Sequence, residues 1–120
     1  GTSAKGVDGT ARSLAEAMRK PKQTTVLDLS GSEDLQCMNL MCEKVGEPCI
    51  CRLSRVLERL PDLRELHLAG NRLSQLPDSV WSLPQLEVLD LSDNHLEELP
   101  AAAGQLVGLK VLRLGGNPMR

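Results

Sequence analysis

The chain has 120 residues, a formal net charge of −2, 41% hydrophobic and 25% charged residues. That is one domain's worth of soluble-type sequence, and no apolar run approaches the roughly 18 residues of a membrane-spanning helix. The acidic balance argues against nucleic acid as a ligand, because phosphate contacts need clustered Lys and Arg. Trp81 is the sole aromatic, with no Phe or Tyr. A core without aromatics must be filled by aliphatics, which suits one small layer repeated many times.

In chain order, Gly1-Thr2-Ser3 opens the sequence; a cloning remnant or a processed precursor would begin this way. The spacing of Ala11, Leu14, Ala15 and Met18 predicts a helix over 8–20, with Thr10 as its N-cap and Pro21 ending it. TTVLDLSGS, residues 24–32, reads as a strand with Leu27 and Leu29 on one side. The next segment holds all four cysteines, Cys37, Cys42, Cys49 and Cys51. A short helix is expected over 35–45, broken by Gly46-Glu47-Pro48. Ile50, Leu53, Val56, Leu57 and Leu60 predict another over 50–60.

From residue 63 the chain repeats itself. LRELHLAGNRLSQLPDSVWSLPQ covers 63–85, LEVLDLSDNHLEELPAAAGQLVG covers 86–108, and LKVLRLGGN covers 109–117. Leu66, Leu89 and Leu112 share a phase, as do Leu68, Leu91 and Leu114, and Asn71, Asn94 and Asn117. Residues 24–32 match weakly, with Thr24 in place of the first Leu and Ser32 in place of the Asn. Two residues apart, Leu66 and Leu68 point to one side of a strand and His67 to the other. One repeat cannot bury its own leucines, so stacked neighbours must form a continuous column. The Asn amides are expected to bond turn backbone between coils.

These residues resemble the leucine-rich repeat in its 23-residue form, L-x-x-L-x-L-x-x-N-x-L-x-x-L-P. The resemblance implies an α/β fold, a curved solenoid with a parallel concave sheet of about four strands. The division expected within one domain is a helical cap at 1–23, a degenerate first repeat with a Cys-containing helical insertion at 24–62, and repeats at 63–85, 86–108 and 109–120, the last incomplete. Its final leucines would then lie open, as at a surface that meets a partner.

The candidate partner surface is the concave face: Asp28, Arg64, Glu65, His67, Glu87, Val88, Asp90, Lys110, Val111 and Arg113. One column across the strands reads Asp28, His67, Asp90, Arg113. Its neighbour reads Val26, Glu65, Val88, Val111. Mixed charge beside aliphatics suits a protein surface better than a small-molecule pocket. Trp81, on the convex side, is a candidate anchor, the alternative being a half-buried packing role. The cysteine spacing C-x4-C-x6-C-x-C is loose for zinc. Reduced thiols, one or two disulfides, and metal therefore stand as three readings in that order; no metal or other cofactor is expected. No nucleophile elbow, P-loop or dinucleotide fingerprint occurs, so no enzyme is expected.

The function expected is a non-catalytic protein–protein interaction module, an architectural or accessory subunit of a hetero-complex. The alternative is a regulatory module on a signalling enzyme such as a GTPase or phosphatase. Neither nucleic acid, membrane insertion nor a small-molecule substrate is expected. The expected location is intracellular and cytoplasmic, with a mitochondrion or other organelle as the alternative.

Overall fold

A computed structural model describes residues 9–32, 35–36, 40–43 and 49–119. Its sheet has five parallel strands in sequence order. They are β1 (Thr10–Ala11), β2 (Val26–Asp28), β3 (Glu65–His67), β4 (Val88–Asp90) and β5 (Val111–Arg113). The register places Leu27, Leu66, Leu89 and Leu112 side by side. Helices α1 (Leu14–Arg19) and α2 (Cys51–Leu57) form the convex layer. Two 3-10 turns, Asp78–Ser82 and Ala101–Gln105, continue it in order along the solenoid. Pro77 and Pro100 enter those turns in extended conformation, as a residue with fixed φ and no N–H donor permits.

The leucine column is the core. Leu27, Leu29, Leu66, Leu68, Leu89 and Leu91 are all fully buried. Each contributes about 1.5–3 kcal/mol relative to exposure. Backbone pairing repeats from coil to coil. The Gly9 carbonyl accepts from Thr25 and Val26 N–H, Thr25 from Arg64 and Glu65, Arg64 from Glu87 and Val88, and Glu87 from Lys110 and Val111. One carbonyl per coil thus ties down two donors of the next.

The structure corrects the N-terminal reading. Thr10 does not cap the helix; it begins β1, a strand beyond the four expected, which pairs with β2. The helix starts at Leu14 because Ser13 caps it and Glu16 reaches back to the residue before the cap. Ser13 Oγ accepts from Glu16 N–H at 3.0 Å, and Glu16 Oε1 accepts from Arg12 N–H at 2.6 Å. Ala11, Leu14 and Ala17 close the end of the leucine column. Thr24 occupies the phase where later coils carry Leu because it lies under the end of α1. There its hydroxyl donates to the Lys20 carbonyl at 2.9 Å.

The helix expected over 50–60 is the shorter α2, burying Leu53, Val56 and Leu57. Of the helix expected over 35–45, Leu35 is buried, Gln36 is exposed and residues 40–43 form turns and a bend; residues 37–39 and 44–45 lie outside the described residues.

Candidate functional site

The concave face is built by the residues flanking each buried strand leucine. Glu65, His67, Val88 and Asp90 stand half-buried on it, with Arg64, Val111 and Arg113 more exposed. The register sets two columns side by side: Val26, Glu65, Val88, Val111 and Asp28, His67, Asp90, Arg113. Within coil β3 the His67 Nε2 lies 3.0 Å from Glu65 Oε1. Across coils, Lys110 Nζ lies 3.8 Å from Glu87 Oε1. Both side chains of that pair are solvated, so it adds at most about 1 kcal/mol.

Two acidic members of the column are also structural. Asp28 Oδ1 accepts from Ser30 N–H at 3.1 Å. Asp90 Oδ1 accepts from Ser92 N–H at 3.0 Å and from its hydroxyl at 2.7 Å. The repeated Asp-Leu-Ser thus turns the chain as it leaves β2 and β4. The Ser30 backbone N–H is the main reason the Asp28 carboxyl titrates below its ordinary 3.8; its hydroxyl, His67 and Arg12 add to this, and partial burial opposes it. Arg12 extends the charged face beyond Asp28, a residue missed because its segment reads as helix from the sequence.

The Asn side chains bond turn backbone between coils. Asn94 Oδ1 accepts from the N–H groups of Asn71 and Leu73, both at 3.0 Å. Its amide donates to the carbonyls of Leu68 and Leu91 at 2.9 and 3.0 Å. Asn71 joins Ser32, Leu29 and Leu68 in the same way, and Asn117 joins Leu96, Leu91 and Leu114. The residue before each Asn, and before Ser32 at the same phase, is left-handed: Gly31, Gly70, Asp93 and Gly116 all have φ between 56° and 77°. Gly116 is required twice over, since a Cβ there would collide with the Asp93 carboxylate.

Trp81 is not the exposed convex anchor. It is 3% exposed, packed in the core within the 3-10 turn Asp78–Ser82. Its indole Nε1 is buried without a hydrogen-bond partner among the described residues. Beside it a cleft of about 290 Å³ opens between the convex turns, lined by Leu76, Leu96, Leu99 and Pro100.

Three cysteines converge. Cys42 Sγ lies 3.6 Å from Cys49 Sγ and 3.6 Å from Cys51 Sγ, and the latter two are 3.0 Å apart. Cys37 lies outside the described residues. Hydrogen bonding to Cys49 and then to Cys42, helped by desolvation, pushes the Cys51 thiol up to about 12. These three residues form a group of soft donors able to hold a metal ion, among the described residues. His67 and His95 are not part of it.

The Leucine rich repeat family model matches residues 58–119, and the chain belongs to that family. A leucine-rich repeat protein of Leptospira interrogans is 47% identical over 53% of this chain, with a TM-score of 0.50. The chain spans 16% of that protein's own length. No curated protein matches it. Domains of this family generally bind other proteins and are typically not catalytic. No described helix is long and apolar enough to cross a membrane.

Proposed function

We propose that the chain is a non-catalytic protein-binding module that serves as an architectural or accessory subunit of an intracellular hetero-complex. The observation that carries this reading is the aliphatic row of the concave face, where Val88 and Val111 stand in register on neighbouring strands, half-buried and 37% exposed. Exposed aliphatics grouped on a rigid scaffold favour contact with another protein surface.

A second reading is a regulatory module that binds a signalling enzyme through its concave face. The alternating charges of Asp28, His67, Asp90 and Arg113 favour it, because such a pattern sets partner choice and on-rate.

Quantitative co-purification with tagged variants separates the two. Under the subunit reading, Val88→Asp with Val111→Asp removes the co-purifying proteins and the pair Arg64→Glu with Arg113→Glu leaves them bound. Under the regulatory reading the outcomes are reversed. If both variants bring down the same proteins as the parent chain, in the same amounts, both readings fail.

A further inference from the structure

Residues 40–43 of the insertion gain little from apolar burial. Leu40 and Met41 are 86% and 92% exposed. Among residues 40–43, Cys42 alone is partly covered. What meets its sulfur is a pair of thiols fixed to the solenoid. Cys49 is buried and its N–H donates to the Leu35 carbonyl at 2.7 Å. Cys51 is the first residue of α2, and its N–H is directed at Cys49 Sγ over 3.4 Å.

None of the three sulfur separations is a disulfide, which would be about 2.05 Å. Two of them are close to those of a shared ion instead. With Zn–S bonds of about 2.3 Å, the edge of a tetrahedral thiolate site is about 3.8 Å. The two contacts of Cys42, at 3.6 Å, fall within a few tenths of an ångström of that edge. The Cys49–Cys51 contact, at 3.0 Å, needs a wider outward rotation. A disulfide would use two of these sulfurs and strand the third, whereas an ion uses all three. Thiolates are soft donors and select zinc over calcium or magnesium.

We propose that Cys42, Cys49 and Cys51 bind one zinc ion as thiolates, pinning the insertion to the start of α2. Binding releases one proton from each thiol and changes no oxidation state. Cys37 is not counted in the site. The ion has a structural role: it replaces the apolar contacts that residues 40–43 lack.

The test is a Co(II) titration of the full chain under reducing conditions. One equivalent should produce sulfur-to-cobalt charge-transfer absorption, and one equivalent of Zn(II) should abolish it. Cys42→Ser, Cys49→Ser and Cys51→Ser should each weaken binding at least tenfold. Absence of the absorption, or binding unchanged in the three variants, overturns the proposal. A second measurement needs no variant. Zn(II) should slow alkylation of these three thiols at least tenfold, read by peptide mass spectrometry, and unchanged alkylation rates would equally overturn the site.

Discussion

Leu27 and Leu112 hold the same place in their coils, yet one is fully buried and the other 41% exposed. The difference is not in the residue or its strand. Leu27 has β1 and α1 on one side and the β3 coil on the other; Leu112 has the β4 coil on one side, and no described coil packs on the other. In a solenoid a leucine contributes through its neighbours, so the same side chain is core at one position and surface at another.

The sharpest way to break that comparison is to truncate both kinds of position. Leu66→Ala should cost about 2–5 kcal/mol, since its neighbours cannot collapse fully around the cavity. Leu112→Ala should cost about 1 kcal/mol or less, because much of its surface is already in water. Urea unfolding followed by circular dichroism measures both, and equal costs would sink the column argument.

The Asn ladder offers a smaller contrast. Asn94→Ala leaves the N–H groups of Asn71 and Leu73 without their acceptor. A stranded buried donor costs about 1–3 kcal/mol. Asn117→Ala removes the acceptor of Leu96 N–H only, in a more open site, and should lower the urea midpoint by less.

Asp93→Gly sharpens the comparison in the other direction. Asp93 has φ 56° where the equivalent positions carry glycine. Relief of that backbone should raise stability by about 1 kcal/mol. A lowered melting temperature would show that the Asp93 carboxylate has a role of its own.

The smallest effect expected is one of pH. The Asp28 carboxyl is depressed below 3.8 in the folded chain, chiefly by the Ser30 N–H. The unfolded chain therefore binds the proton first, and the contribution of Asp28 is present above 3.8 and lost as pH falls through the lower folded value. Asp28→Asn should flatten the fall of the urea midpoint in that acid range and leave its shape near neutrality unchanged.

Much of this fold is legible in the sequence because the repeat makes each residue's role visible several times. Leu, Asn and Leu-Pro at fixed phase dictate strand, turn and convex return, and the two concave columns follow from period-two alternation. The first strand is not legible in that way. Ala11 belongs to β1 but continues the helical spacing of Leu14 and Met18, so the two elements merge into one pattern. Ser13 and Glu16 do carry the correct boundary, as an N-cap and an acid three residues later. The left-handed position shared by Gly31, Gly70, Asp93 and Gly116 is likewise visible, once the phase is aligned. Trp81 is different, since Gly104 stands at its place in the next coil and no phase predicts its burial. The thiol cluster is not legible at all, because a spacing of x6 through a loop says nothing about separation in space.

The insertion also shapes how the chain finds its structure. Neighbouring coils after residue 63 meet at a sequence separation of 23, as between Asn71 and Asn94. Across the insertion the separation is 39, as between Ser32 and Asn71. Closing the longer loop costs about 0.5 kcal/mol more by chain statistics alone. The β3–β4 and β4–β5 pairs therefore both close the shorter loop. A cross-link at Cys42, Cys49 and Cys51 would shorten the longer one, so whatever joins those sulfurs also narrows the difference between the two halves of the solenoid.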